Sequence, residues 1–465
     1  MTTIIRRFND WPIPIKIILS FALVIFLGSI LLSMPFSQLD SSEANYFDHL
    51  FGAVSMVAVT GLFTQPVAHT YSFIGQVFVL LLIKLGGLGL ITIVSAVVLQ
   101  FGRRVSIQGE VTLQQALNRK DRTDFKYYIL SIVKYTTLIE LIGASIMSIH
   151  FVPAFGWRDG LFTSVFLTIS AFNNAGFDNL GTASLQPYMT NPIINTVIPV
   201  LIILGGLGFS VWFDIGKRFK SLLLYKDWKD WRSLKRNYRH LNLHSRLVIK
   251  WTFWLIIGAM FLFMLSEWNH PETIGTLSLI DKFQVSFFQA VTLRTAGFGT
   301  VNYAELHMFT LMVFTVFMFI GGSPGGTAGG AKTSTVALAV ILLSSEIRGL
   351  SNVNYKHHTL KTEIVKRALV IVVMFVLLNF VAISIITIFD GHVPLQFIFF
   401  ESISAFGTVG LSADLTPTLS RYSQTVIMFA MFIGRLGPIT IFTALANQDK
   451  KKKDVKYATG EILIG

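Results

Sequence analysis

Val59-Thr60-Gly61-Leu62, Asn174-Ala175-Gly176-Phe177, Thr295-Ala296-Gly297-Phe298 and Thr408-Val409-Gly410-Leu411 are four versions of one short string in a chain of 465 residues. Their glycines are 115, 121 and 113 residues apart, and each string lies between two long apolar segments. A repeat of this kind constrains the fold before any single element does. Four equivalent glycine loops from one polypeptide, set inside a membrane, can surround a common axis. A ring of backbone carbonyls is the physical device that replaces the water shell of a potassium ion. The expected fold is an all-α membrane protein. It has four tandem helix–pore helix–helix repeats in a pseudo-fourfold arrangement around a central ion pore.

Composition agrees with a membrane setting. Hydrophobic residues make up 52% of the chain and charged residues 14%, against about 25% charged in soluble domains; mean hydropathy is +0.62. Eight spans are expected, near 13–34, 72–101, 126–152, 191–216, 246–266, 307–345, 366–390 and 422–446. Between the members of each pair lies a shorter apolar stretch, near 46–58, 160–173, 281–293 and 395–407. These are too short to cross and read as re-entrant pore helices. The repeats therefore cover 13–101, 126–216, 246–345 and 366–446, with 447–465 as a C-terminal tail. The apolar run after Arg6 and Arg7 is longer than a signal-peptide core and reads as a retained span. With no cysteine in the chain, disulfide staples and thiolate metal sites are excluded.

The net charge of +13 is concentrated in a few places. Ten Lys/Arg fall in 217–246, six in 102–126, five in 348–367 and five in 450–456, whereas 35–50 holds Asp40, Glu43 and Asp48 and no Lys or Arg. This asymmetry is that of a multi-pass protein with both termini in the cytoplasm, its basic loops lying beside anionic membrane lipids; it does not indicate nucleic-acid binding. Every glycine loop then enters from the outer face.

A second glycine signature follows each first one, in Leu85-Gly86-Gly87-Leu88-Gly89, Leu204-Gly205-Gly206-Leu207-Gly208, Ile320-Gly321-Gly322 and Ile433-Gly434-Arg435-Leu436-Gly437. Small residues in a span let backbones approach closely, so packing alone explains this echo. A filter loop needs glycine for another reason: it must turn its carbonyls toward an axis and pass close to its neighbours. The third inner span is interrupted by Gly321-Gly322-Ser323-Pro324-Gly325-Gly326-Thr327-Ala328-Gly329-Gly330, which cannot hold a regular helix. Residues 321–330 therefore read as an intramembrane gate loop under the filter, with Arg435 beside it. Gly326 to Thr333 nearly matches a phosphate-binding loop, but Ala331 replaces the required glycine and no βα context surrounds it.

Charged residues inside spans are functional candidates. Arg435 can form an electrostatic barrier or bond gate-loop carbonyls, and Arg294 is expected to brace the carbonyls of its pore helix. Lys84 and Glu140 can neutralise one another, or Glu140 can serve a tightly sodium- or proton-coupled symporter. His357-His358 reads as a solvated face. No catalytic constellation is present, so the chain is not expected to be an enzyme.

Taken together, Ser33-Met34-Pro35, the four filter glycines, Arg294–Phe298, the broken third inner helix, Arg435 and the closing Gly460–Gly465 resemble the Ktr/Trk/HKT superfamily of potassium transporters. Within it, the chain is most similar to the KtrB-like membrane subunit of bacterial Ktr systems. That resemblance implies potassium uptake across the bacterial plasma membrane by a homodimer with one pore per protomer. It implies a cytosolic octameric nucleotide-binding regulatory ring (KtrA/KtrC-like) that senses ATP and ADP, sodium as a stimulator, and no cofactor in this chain. It also implies that the C-terminal tail packs at the dimer interface. In the plant branch a serine in the first filter loop accompanies sodium preference; Gly61 here favours potassium. Asn174 departs from the threonine of the third and fourth loops and is expected to influence coordination at the inner end.

Overall fold

The computed structural model describes residues 11–89, 125–224 and 238–446. The expected span end 90–101, most of the basic loops 102–126 and 217–246, and the tail 447–465 with Gly460–Gly465 lie outside the described residues. The first repeat comprises α1 (Ile13–Ser33), α2 (Tyr46–Ala58) and α3 (Phe73–Leu88). Pro35 stops α1, because the residue before it, Met34, is held extended at φ −71°, ψ 144°. Asn45 and Asp48 exchange hydrogen bonds as a capping box at the start of α2, and Ser72 caps α3.

The second repeat begins with α4 (Phe125–Asn173), followed by α5 (Pro192–Leu207) and α6 (Phe209–Leu224). As one straight rod, α4's 49 residues would run about 74 Å, more than twice a bilayer core. It is two helices. Gly156 takes φ 83°, ψ 172°, and a Cβ on Gly160 would stand 2.3 Å from Phe151 O. Residues nine apart touch only where the chain doubles back. The expected span 126–152 and pore helix 160–173 are thus joined by one glycine rather than by a loop.

The third repeat comprises α7 (Leu243–Glu267), α8 (Leu279–Thr292), α9 (Met308–Phe319) and α10 (Thr333–Ile347). The fourth comprises α11 (Thr362–Phe389), α12 (Leu395–Gly407), α13 (Arg421–Leu436) and α14 (Pro438–Ala446). A two-residue hairpin, Asn354–Tyr355 with His358–Thr359, carries the exposed His357-His358 pair. Buried side chains gather into two main cores. One joins the first and fourth repeats through Phe51, Met56, Ile83, Phe375 and Ile427; the other joins the second and third through Phe172, Ile198, Phe263, Phe288 and Phe314.

Among the described residues four helices are long and apolar enough to cross a membrane, and the α5–α6 pair, bent by 100°, is a fifth candidate. Eight unbroken spans are not seen, and the inner helices explain why. The sequence singles out the third inner span as broken, yet the second and fourth break at the same place, and α3 ends at the matching glycine. α3 ends at Gly89 (φ 82°, ψ 128°), α5 at Gly208 (φ 90°, ψ 138°) and α13 at Gly437 (φ 84°, ψ 137°). That conformation is essentially reserved for glycine, and at Gly208 and Gly437, where a further helix follows, the last glycine of the echo is a hinge. In the third repeat Pro324 stands at the matching position, and the break widens into the 320–332 loop.

Candidate functional site

The four signatures converge, and their contacts close into a cycle. A Cβ placed on Gly61 would stand 2.7 Å from Ala175 O, on Gly176 2.7 Å from Ala296 O, on Gly297 2.7 Å from Val409 O, and on Gly410 2.0 Å from Thr60 O. Each glycine faces the carbonyl of the next repeat, and the fourth returns to the first. No side chain larger than hydrogen fits at these places without moving a backbone carbonyl.

Local structure explains how each loop reaches this arrangement. α2 ends with Val59 N–H donating to Met56 O and Thr60 N–H to Ser55 O, the paired bonds of a Schellman ending. The same pair closes the second repeat at Asn174 and Ala175, and the fourth at Thr408 and Val409. Such an ending demands left-handed backbone, usually glycine. Here Val59 (φ 57°), Asn174 (φ 58°), Thr295 (φ 64°) and Thr408 (φ 50°) take it. For the β-branched members this conformation is strained, at about 1–3 kcal/mol each. The filter glycine two residues later is again at positive φ, while the residue between is not.

A serine six residues before the filter glycine secures three of the loops. Ser55 Oγ accepts from Gly61 N–H (3.1 Å), Ser404 Oγ from Gly410 N–H (3.1 Å) and Ser170 Oγ from Phe177 N–H (3.0 Å). In the third repeat Val291 stands there, and the loop is held instead by Thr292 Oγ1 donating to Phe298 O (2.7 Å) and Gln289 donating to Thr300 (2.8 Å). Ser55, Ser170 and Ser404 were readable as a shared spacing but carry no chemistry that singles them out in an apolar helix.

Beneath the loops, the echo glycines sit against their own pore helices. A Cβ on Gly86 would meet Val57 O at 2.2 Å, on Gly205 Phe172 O at 2.0 Å, and on Gly434 Phe406 O at 2.1 Å. In the third repeat this contact is replaced: Gly321 faces Gly329 O, a carbonyl of the 320–332 loop itself.

That loop is a compact excursion whose ends pair. Gly321 N–H donates to Ala331 O (2.9 Å) and Thr333 N–H to Gly322 O (3.0 Å). Its body docks on the break of the second inner helix: Ser323 N–H donates to Gly206 O, Thr327 N–H to Gly205 O, and Phe209 N–H to Gly325 O. Thr327 Oγ1 also donates to Asn174 Oδ1 at 2.8 Å, while the Asn174 amide donates to Arg294 O at 3.2 Å. The Asn174 side chain is thus engaged with the 320–332 loop and with the carbonyl that precedes the third glycine loop. Its partners explain the departure from threonine, since threonine has no amide to make the second bond.

Arg435 joins the elements below the ring. Its guanidinium donates to Thr327 O and Gly86 O, and to Gly87 O at 3.0 Å. Lys332, which the sequence reading passed over, donates to Ala328 O at 2.6 Å. Arg294 does not brace its pore helix. Its guanidinium donates to Thr333 Oγ1 (3.0 Å), which in turn donates to Gly321 O (2.7 Å). The third filter loop is thereby tied to the far end of the 320–332 loop.

Lys84 and Glu140 form an ion pair at 2.8 Å, and Asn173 donates to the remaining carboxylate oxygen at 3.3 Å. Removing one partner leaves a buried charge, a loss of about 3–5 kcal/mol when fully buried and less here because the Lys84 side chain is 29% exposed. Lys84→Met is expected to lower the melting temperature of the purified protein by several degrees, and Lys84→Met/Glu140→Gln to recover most of it. A double variant no better than the single would contradict a pairing role.

Residues 13–454 match the family TrkH, described as cation transport protein. The chain is 34% identical over 452 residues to Ktr system potassium uptake protein B of Bacillus subtilis, covering 97% of this chain and 96% of that one. It is 33% identical to the potassium/sodium uptake protein NtpJ of Enterococcus hirae over the full length of both. The fold is that of the potassium transporter TrkH from Vibrio parahaemolyticus, with a TM-score of 0.69, 18% identity and coverage of 93% of this chain and 84% of that one. This is a helical, multi-pass membrane protein of the transporter class. It belongs to the TrkH family of cation transport proteins, as the resemblance to the Ktr/Trk group led one to expect. The relatives named are transporters, which fits a chain that is not an enzyme.

Proposed function

We propose that this chain takes up potassium across the plasma membrane through a filter of carbonyls from residues 59–61, 174–176, 295–297 and 408–410. The observation that carries this reading is the closed cycle of glycine-to-carbonyl contacts among the four loops. The repeats then stand in pseudo-fourfold order around the pore. Carbonyl oxygens turned to one axis stabilise a dehydrated cation, and the α2, α4, α8 and α12 C-termini add partial negative charge beneath it. The buried hydroxyls of Thr60, Thr295 and Thr408 have no hydrogen-bond partner among the described residues, which leaves them free to serve the ion. Names of the relatives support the cargo: potassium uptake for one, potassium and sodium for another.

The gate in this reading is residues 321–330 with Arg435. The loop closes the path below the filter and the arginine holds it there. The chain works as a homodimer, with both termini in the cytoplasm. A cytosolic octameric ring binding ATP or ADP pulls on the gate, and sodium stimulates transport. Asn174→Ala removes the bond to Thr327 and is expected to raise basal flux two- to fivefold without changing the potassium-to-sodium ratio. A changed ratio with unchanged flux would return Asn174 to the coordination shell.

The test of the whole reading is potassium uptake by a transport-deficient cell expressing this chain with and without a ring subunit. No uptake under either condition, from protein shown to be inserted, would refute it. A symporter coupled through Glu140 would need that carboxylate free, and it is committed to Lys84 and Asn173. Reversal potentials that follow the potassium gradient alone are expected; potentials displaced by sodium or proton gradients would favour coupling.

A further inference from the structure

We infer that Glu267, His270 and His307 form a binding site for a divalent transition-metal cation of the zinc class. The site lies at the end of the third repeat remote from the 320–332 loop. Glu267 is the last residue of α7, His270 follows in the turn, and His307 precedes the first residue of α9. One ligand atom from each lies within 4.8 Å of the others. Zinc bonds of about 2.0–2.2 Å require such atoms to close to roughly 3.5 Å, a movement small enough for side-chain rotation.

The environment of Glu267 points to a cation. Its carboxylate is fully buried, and a buried charge is costly unless paired. The partner beside it is an imidazole, His270 Nδ1 at 3.0 Å, rather than a lysine or arginine. A divalent ion bound between the imidazole and the carboxylate would place its positive charge directly on Glu267. The remaining contacts already orient the carboxylate as outer-shell groups do in metal sites. Thr273 Oγ1 donates at 2.9 Å, His307 N–H at 3.1 Å, and Thr310 Oγ1 also donates.

Access and ligand chemistry complete the case. The His270 and His307 rings lie together with centroids 4.1 Å apart, and His307 is exposed, so an ion can enter from solvent. Two imidazoles and one carboxylate, with a fourth position open to water, suit zinc far better than magnesium. A bound ion would clamp the end of α7 to the start of α9, behind the third glycine loop.

Binding is measured without reference to transport, so this inference and the transport reading fail separately. Metal-stripped full-length protein is titrated with zinc chloride by calorimetry, and its melting temperature is followed in parallel. One zinc ion per chain and a rise in melting temperature are expected, with no rise from magnesium. His270→Ala and His307→Ala are each expected to weaken zinc binding at least about tenfold. The backbone donor at residue 307 and both threonine bonds remain in these variants, so the carboxylate stays anchored. An unresponsive parent protein, or equal zinc affinity in the His270→Ala/His307→Ala double variant, would overturn the site.

Discussion

Replacing Gly61 with serine is expected to lower the potassium-to-sodium uptake ratio at least tenfold, with a fall in potassium uptake itself. Two independent constraints meet at this residue. Its φ of +106° is one that side-chain-bearing residues rarely adopt, and an added Cβ would stand 2.7 Å from Ala175 O. Something must shift, and the nearest group is backbone on the neighbouring loop. A displaced carbonyl no longer matches the spacing that compensates potassium dehydration. Because each loop touches the next, the disturbance is shared around the cycle rather than confined to one repeat. Gly410→Ser, whose Cβ would approach Thr60 O to 2.0 Å, is expected to be at least as severe. Uptake of both ions is measured in the transport-deficient cell, with inserted protein quantified. An unchanged ratio in Gly61→Ser would remove the first loop from the filter.

Much of this arrangement was legible before any coordinates. Spacing alone placed the four glycines and their echoes, because close backbone approach leaves no residue but glycine and so marks the sequence. The ends of α2, α8 and α12, just before the glycine strings, are legible for the same reason. Other features leave no such mark. Val59 and Thr408 adopt left-handed backbone that their side chains disfavour, and nothing local announces it, since the surrounding loops impose it. The hinges at Gly208 and Gly437 look like packing glycines, because a hinge and a close contact ask for the same residue. The doubling-back at Gly156 hides in an otherwise helical run. Arg294 was assigned to its own helix because sequence shows neighbours in the chain, whereas its partner Thr333 is thirty-nine positions away. The Glu267–His270–His307 group is invisible for that reason too: its third member is brought in by the fold of the whole repeat.

Deleting residues 321–330 is expected to raise potassium flux at least tenfold in the absence of any ring subunit. The deletion joins Ile320 to Ala331, which lie side by side as a parallel bridged pair, so the ends are close and the backbone must turn there to be spliced. It removes Thr327 and with it the bonds to Asn174, Gly205 and Arg435 that hold the loop beneath the filter. It leaves the four glycine loops and the serine and threonine bonds within them in place, and of the Arg294–Thr333–Gly321 tie it removes only the last acceptor, so selectivity should persist while closure is lost. Arg435 bears on the magnitude. With Thr327 O gone, its guanidinium keeps Gly86 O and Gly87 O and still presents a positive charge near the path. Combining the deletion with Arg435→Ala is therefore expected to raise flux further than the deletion alone. The Arg435→Ala change by itself frees the loop only at one carbonyl and should give a smaller rise. Flux that stays flat or disappears in a deletion variant shown to be folded and inserted would end the gate assignment. Rising flux with lost potassium preference would instead make 321–330 part of the filter's support.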